Sequence, residues 1–114
     1  MHTVVEMENF SSSAKAAKVT EIEVEEIISY LALNPTAGRV IPSTGGARKF
    51  RYRSRGKGKR GGYRVIIFYS GTDLPVFLID IFAKGDKIDL TMRERNELKI
   101  VLGKVAKAYR RRQR

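Results

Sequence analysis

A glycine-rich basic loop is the part of this sequence whose residue types and spacing could do chemistry. It runs from Gly56 to Gly62, carries Lys57, Lys59 and Arg60 between its glycines, and is closely followed by Arg64. Glycines let the backbone approach a phosphate chain closely, and the cationic side chains donate charge-assisted hydrogen bonds to its oxygens. The loop lacks the P-loop spacing that would indicate nucleotide binding. It therefore predicts contact with a polymer that carries phosphates.

The same cations suit one reaction, the cleavage of RNA through its own 2′-hydroxyl group. That reaction needs a proton acceptor at the 2′-oxygen, cations that stabilise the charge developing on the phosphate, and a proton donor at the 5′-oxygen. A lysine crowded by other cations exchanges protons more readily, whereas arginine stabilises charge without exchanging one. The candidate catalytic residues are therefore Arg64, Lys57, Lys59 and Lys84. DNA has no 2′-hydroxyl group and would not be cut in this way.

Composition excludes several other kinds of site. The 114 residues include no cysteine and one histidine, His2, which excludes thiol catalysis, cysteine zinc sites and histidine triads. We therefore expect no metal and no cofactor. The absence of cysteine is compatible with a reducing cytoplasm, and neither a secretory leader nor a membrane-spanning stretch is predicted.

Positive charge is concentrated in two parts of the chain. The formal net charge is +11, and residues 39–70 contain ten basic and no acidic side chains, while residues 103–114 contain six and none. A basic domain of this kind most often contacts nucleic acid, and less often an anionic membrane or an acidic protein. The blander alternative for the central block is a solvated edge strand protected by charge, a role that needs only two or three cations.

The elements that must position these residues follow from the hydrophobic pattern. We predict an α+β fold in the order β-α-α-β-β-β-α, with a small antiparallel sheet covered on one face by the N-terminal helices. Residues 1–109 form one domain and residues 110–114 a basic tail. The predicted strands are His2–Glu8, Arg48–Arg55, Tyr63–Tyr69 and Val76–Phe82, and a loop is expected over Thr36–Gly46.

The second predicted strand has a basic side and an aromatic side. Phe50 and Tyr52 alternate with cationic residues, so the aromatic side chains point one way and the cationic ones the other. The aromatic side chains suit either the core or stacking on bases. The candidate RNA-binding residues are Arg48, Lys49, Arg51, Arg53, Arg55 and Arg60.

Two capping boxes mark the starts of helices. Thr20 and Glu23 precede one apolar stripe, and Thr91 and Glu94 precede another. A shorter helix is expected from the serines at 11–13 to about Lys18. Pro35 ends the helix that begins after Thr20. The predicted core stripes are Val24, Ile27, Ile28 and Leu31 in the first of the capped helices, and Leu98, Val101, Leu102 and Val105 in the second.

These segments together resemble the HigB-like branch of the RelE/ParE toxin superfamily. The resemblance rests on Gly45-Gly-Ala-Arg-Lys49, Gly56-Lys-Gly-Lys-Arg-Gly-Gly-Tyr-Arg-Val65, Phe82-Ala-Lys84 and Asp89-Leu-Thr91. It implies a toxin of a type II toxin–antitoxin pair, which enters the ribosomal A site and cuts translated mRNA. It also implies a protein antitoxin as partner, the ribosome as site of action, and contact with DNA only through the toxin–antitoxin complex.

The resemblance also implies a role for each site residue. Arg64 resembles the arginine that stabilises the scissile phosphate, and Lys57 and Lys59 resemble loop lysines that position the substrate or act as base. Lys84 matches the basic residue that assists as acid or stabilises charge, and Arg48 would contact rRNA or mRNA. Phe82 stands where relatives often have tyrosine, so a phenol cannot serve as the acid there.

Two residues carry open alternatives. Asp80 lies between apolar neighbours in the last strand, and it either orients Arg64 or lies partly exposed beside Arg51 or Arg53. Tyr109 near the end of the last helix either packs on the sheet or has a function of its own.

Two rival functions share the charge or the fold. A gyrase-inhibiting toxin of the same superfamily would not cut RNA, and it commonly lacks a lysine loop of this density. A noncatalytic protein that binds RNA or the ribosome would have no need for Arg64 and Lys84 to converge on one phosphate. The sequence favours the endoribonuclease over both.

Overall fold

The computed structural model describes residues 2–53, 62–83, 85 and 89–112. Five strands and three helices lie within these ranges. They are β1 (Val4–Glu6), α1 (Glu8–Ala16), α2 (Glu21–Leu33), β2 (Arg39–Val40), β3 (Ala47–Tyr52), β4 (Tyr63–Phe68), β5 (Val76–Ala83) and α3 (Met92–Arg112). The predicted α+β class and element order are confirmed, with β2 as an addition inside the expected loop.

The strands form one sheet in the order β1-β5-β4-β3-β2. Strands β3 to β5 form the predicted antiparallel meander and β2 pairs antiparallel with β3, but β1 runs parallel to β5, with Val4 opposite Val76. The sheet is therefore mixed, which corrects the prediction of an antiparallel sheet. Alternation identifies a short strand but carries no information about its direction, which depends on how the chain returns to the sheet edge.

One face of the sheet packs against α1 and α2. Phe10 of α1 and Ile27 and Leu31 of α2 are fully buried against apolar side chains of the two central strands. The partly buried Phe50 and Tyr52 pack against the same cluster, which favours the core alternative over base stacking for both. We call this side of the sheet the α1/α2 face.

The opposite face packs against α3 along part of its length, which corrects the prediction that only one face is covered. Leu102 and Ala106 are buried over Phe68 and Phe77, beside Ala47. The physical reason is that β4 is apolar on both sides, and a central strand of this kind needs a layer on each face. We call this side the α3 face. Leu98 and Val105 also pack there as predicted, whereas Val101 is 49% exposed.

Both predicted capping boxes are present. The hydroxyl oxygen of Thr20 accepts a hydrogen bond from the backbone N–H of Glu23, whose carboxylate accepts one from the N–H of Thr20. Thr91 and Glu94 make the same two hydrogen bonds at the start of α3. These bonds satisfy amide groups that have no partner within the helix and so fix where each helix begins. Helix α1 starts before the predicted serines, at Glu8.

The first three residues of the basic tail, 110–112, belong to α3. Helix α3 extends to Arg112, and Nε of Arg110 lies 2.8 Å from a carboxylate oxygen of Asp73 in the turn between β4 and β5. The hydrogen bond from Arg110 lowers the pKa of Asp73 and raises that of Arg110. This contact joins the C-terminal end of α3 to the turn between β4 and β5. Within the described ranges, no helix is both long and apolar enough to cross a bilayer.

Candidate RNA-binding site

The pairing register places two arginine side chains next to each other on the α3 face. Arg51 of β3 lies directly opposite Arg64 of β4, and Phe82 of β5 lies opposite Arg64 on its other side. Residues opposite each other in antiparallel strands project from the same face of the sheet. Arg51, Arg64 and Phe82 therefore form one row across three strands. We call Arg51 and Arg64 the arginine pair.

The arginine pair is unfavourable for the fold by itself. Like charges directly opposite each other destabilise a sheet, by up to about 1 kcal/mol. Arg51 is exposed and Arg64 half-buried, and neither donates a side-chain hydrogen bond or forms an ion pair within the described residues. Two adjacent guanidinium groups that retain free donors form a favourable site for an anion, and they match the oxygen pairs of a phosphate group.

Lys49, one row further along the same face, is held by a carboxylate. Its Nζ lies 2.6 Å from Oδ2 of Asp89, which Nη2 of Arg95 approaches to 3.4 Å. Burial by itself would raise the pKa of Asp89, but the hydrogen bond from Lys49, the N–H of Leu90 and the two positive charges together lower it. The network attaches the chain before α3 to the middle of β3. Lys49 is thus the one predicted RNA-binding residue, among those described, that forms an ion pair.

This network gives a testable pH dependence. Because the pKa of Asp89 is lower in the folded chain than its ordinary value of 3.8, its contribution is present above that value and is lost as the pH falls through the folded pKa. We expect Asp89→Asn to reduce the free energy of unfolding near neutral pH by up to about 1 kcal/mol. Below about pH 3.8, the difference in the free energy of unfolding between wild type and Asp89→Asn should become smaller.

Urea unfolding of both proteins at about pH 6 and about pH 3 measures this difference. Glu25→Gln is a matched control, because it removes a carboxylate that lies exposed on α2 and leaves Lys49 paired with Asp89. Equal stability of wild type and Asp89→Asn at both pH values would show that the network contributes nothing to folding.

Arg48 lies on the opposite side of the sheet from the arginine pair. Its Nε donates to the carbonyl oxygen of Ala37 at 3.3 Å and its Nη2 to that of Gly38 at 3.1 Å. The alternation along β3 places it with Phe50 on the α1/α2 face. The structure therefore brings Arg51 and Arg64 together and separates Arg48 from them. Arg53 lies exposed one residue beyond the end of β3.

The remaining predicted site residues lie outside the described residues. They are the candidate catalytic Lys57, Lys59 and Lys84 and the candidate RNA-binding Arg55 and Arg60. Their attachment points are described. Tyr52 and Tyr63, which flank the basic loop, lie opposite each other, and Tyr63 also lies opposite Ala83, the residue before Lys84. These described attachment points thus lie at the end of the sheet where the arginine pair lies.

Asp80 shares a face with Arg64 but does not pair with it. It lies opposite Ile66, two residues along β4 from Arg64, and its Oδ1 accepts a hydrogen bond from the N–H of Ile81 at 2.9 Å. No ion pair joins Asp80 to an arginine within the described ranges. Asp80 is partly exposed, in keeping with the second alternative, but beside Ile66 rather than Arg51 or Arg53.

Tyr109 is a packing residue. Its ring meets that of Phe77 edge to face, with 5.0 Å between the ring centroids, and the guanidinium carbon of Arg112 lies 5.8 Å from its centroid. It belongs to the apolar cluster of the α3 face. The contact with Phe77 accounts for an aromatic residue at this position.

Sequence reasoning missed two residues of the site, Asp89 and Arg95. Asp89 was identified only as part of a motif, and no local pattern pairs it with Lys49, which is 40 positions away. The position of Asp89 gave a partial indication. An acidic residue just before the capping box of α3 lies at the start of a helix that covers the sheet, and it can therefore approach a cation on a strand beneath.

A comparison with known protein families agrees with this architecture. Residues 3–113 match the family described as the RelE toxin of the RelE / RelB toxin–antitoxin system. The match includes all five strands, all three helices and the arginine pair. A match over nearly the whole chain, on a fold of the expected class, establishes that this protein belongs to the RelE toxin family.

Proposed function

We propose that this protein is a ribosome-dependent endoribonuclease that cuts translated mRNA in the ribosomal A site. Family membership makes it the toxin of a toxin–antitoxin pair and implies an antitoxin partner. The observation that carries the proposal is the arginine pair, in which Arg51 and Arg64 face each other without an acidic partner among the described residues. A bound phosphate would offset the repulsion between them.

The proposed reaction is an internal transesterification. The 2′-oxygen of the substrate attacks the adjacent phosphorus atom, and the bond from phosphorus to the 5′-oxygen breaks. The 2′-hydroxyl gives its proton to a base, and the leaving 5′-oxygen takes one from an acid. The products are a 2′,3′-cyclic phosphate and a 5′-hydroxyl group, so no water, metal or protein nucleophile is consumed.

We assign to the arginine pair the role of stabilising the negative charge that develops on the phosphate. Guanidinium groups stay protonated throughout and donate two parallel hydrogen bonds, which suits them to stabilise a dianionic transition state. Lys57 or Lys59 would accept the 2′-proton and Lys84 would protonate the 5′-oxygen. Phe82 lies opposite Arg64 in the same row and is partly buried in the cluster of the α3 face. Arg53, Arg55 and Arg60 would hold flanking phosphates.

The proposal also includes the narrower points of the resemblance. The chain would belong to the HigB-like branch of its superfamily and act in the cytoplasm, where translating ribosomes are available. Arg48 and Lys49 would contribute less to RNA binding than Arg51, because their side chains are held by carbonyl groups and by Asp89.

Mapping RNA 5′ ends after a brief pulse of expression tests this function. We expect new 5′-hydroxyl ends inside reading frames, and none in transcripts that are not translated. Breaks in DNA would indicate gyrase inhibition instead. Arrested growth with uncut RNA would indicate a protein that binds RNA or the ribosome without catalysis.

A further inference from the structure

A groove on the α3 face lies between the start of α1, strand β5 and the first half of α3. It consists of two adjoining cavities of about 430 and 310 Å³, and Asn9, Ile79 and Val101 line both. We call it the acidic groove. The other residues that line it are Met7, Glu8, Ser12, Ile66, Asp80, Leu90, Glu94, Glu97 and Leu98.

An irregularity in the sheet shapes the floor of the acidic groove. The register between β4 and β5 shifts between Ile66 and Ile67, so that Asp80 lies opposite Ile66 and Leu78 opposite Ile67. Ile79 is the extra residue of a β-bulge, and it packs in the cluster of the α3 face. Bulges redirect side chains in this way. The floor therefore presents Ile79 together with Val101, which is 49% exposed although it lies in an otherwise apolar stripe.

The lining of the groove has the opposite charge to the rest of the protein. It contains Glu8, Asp80, Glu94 and Glu97 and no lysine or arginine, in a chain whose net charge is +11. Glu94 takes part in the cap of α3. Oε1 of Glu97 lies 3.4 Å from Nε of Arg93, in an exposed ion pair of the kind that contributes little to stability. Acidic side chains around an apolar floor repel a phosphate chain and attract cations.

We propose that the acidic groove is a docking site for a segment of the antitoxin that carries both apolar and basic side chains. The proposal rests on the antitoxin partner that family membership implies. Charge complementarity identifies the occupant, because an apolar floor with carboxylates around it matches a segment whose apolar side chains alternate with lysine or arginine. RNA, the other expected partner, has the wrong charge for this surface.

The groove lies beside the arginine pair without including it. Asp80 lies opposite Ile66, and Arg64 is two residues further along β4 on the same face. A segment in the groove would thus end close to the row of Arg51, Arg64 and Phe82. Docking there would allow the antitoxin to obstruct RNA at this row, while its main contacts stay on residues that take no part in cleavage.

Two adjacent residues of α3 provide a matched test. Val101 lines both cavities, whereas Ile100 is 61% exposed and lines neither. The probe is the antitoxin, identified as the protein whose co-expression restores growth, and its dissociation constant is measured by titration calorimetry. We expect Val101→Glu to weaken binding at least about 30-fold, and Ile100→Glu to change it less than about 3-fold. Thermal unfolding of both variants verifies that they fold.

Charge reversal gives a second, independent comparison. Glu97→Lys and Glu25→Lys change the net charge equally, but only Glu97 lines the groove, while Glu25 lies exposed on α2. We expect Glu97→Lys to weaken antitoxin binding about 10-fold and to reduce its dependence on salt. Glu25→Lys should leave both nearly unchanged.

The outcomes separate this proposal from the proposed function. Wild-type affinity of both Val101→Glu and Glu97→Lys for the antitoxin would overturn the docking site, whatever the protein does to RNA. Loss of antitoxin binding in these variants, together with uncut RNA, would support the docking site and overturn the endoribonuclease. Self-association of the wild type that Val101→Glu abolishes, with antitoxin binding intact, would assign the groove to a second copy and overturn the proposal.

Discussion

Replacing Arg64 by alanine is expected to reduce RNA cleavage by at least about 100-fold, the usual cost of removing one donor to a developing negative charge. Arg64 is the half-buried member of the arginine pair and lies between Arg51 and Phe82. Its loss would leave the proposed phosphate site with one guanidinium group at this row. The measurement is the rate at which a translated message is cut in a purified translation system.

The fold and antitoxin binding should survive this substitution. Arg64 has no ion pair within the described part of the chain, and its removal ends the repulsion of Arg51, so stability should stay level or rise slightly. Arg93→Ala is the matched control, because that side chain is 90% exposed at the start of α3 and lies in neither proposed site. Full cleavage by Arg64→Ala would remove Arg64 from the catalytic site.

Replacing Gly38 by alanine is expected to lower the free energy of unfolding by at least about 2 kcal/mol. Gly38 has a φ of +79°, in the left-handed region that disfavours a side chain. An added Cβ would also collide with the backbone carbonyl group of Lys49 and approach Cβ of Phe50 to 2.8 Å. Both contacts lie in the body of β3, so the strand cannot yield without disturbing its pairing with β4.

Gly103→Ala is the matched control for this prediction. Gly103 is an exposed residue of α3 with open space around it, and alanine there should raise stability by about 0.5–1 kcal/mol because it favours the helix. Urea unfolding midpoints of the two variants and the wild type provide the comparison. A Gly38→Ala protein as stable as the wild type would mean that the turn before β2 rearranges freely.

The Gly38 turn also bears on how β3 presents its cations. Arg48 donates hydrogen bonds to the carbonyl groups of Ala37 and Gly38, while Asp89 holds Lys49 on the other face. Two of the basic residues of β3 thus secure the strand from both sides. Under the proposed function, Arg51 of the same strand binds a phosphate, so β3 would combine structural cations with binding cations and contain more charge than edge protection requires.

Local sequence patterns predicted the helices and strands but not how these elements pack and pair with one another. Each capping box could be predicted because its hydrogen bonds join residues three positions apart, and alternation placed Phe50 and Tyr52 together on one side of β3. The direction of β1 and the extent of α3 over the second face could not be predicted, since both depend on contacts between distant segments. Val101 shows the same limit, because the stripe placed it in the core and packing left it half exposed.

The sequence by itself determined the concentration of positive charge, the absence of cysteine chemistry and the α+β fold, because composition and hydrophobic period are local properties of the chain. Only the tertiary structure decided that Arg51 lies opposite Arg64 and that Asp89 pairs with Lys49. It also decided that a β-bulge directs the side chain of Ile79 to the floor of the acidic groove. Each of these depends on strand register or on a contact between distant residues. Register is set by the combined packing of all paired strands, and no single segment encodes it.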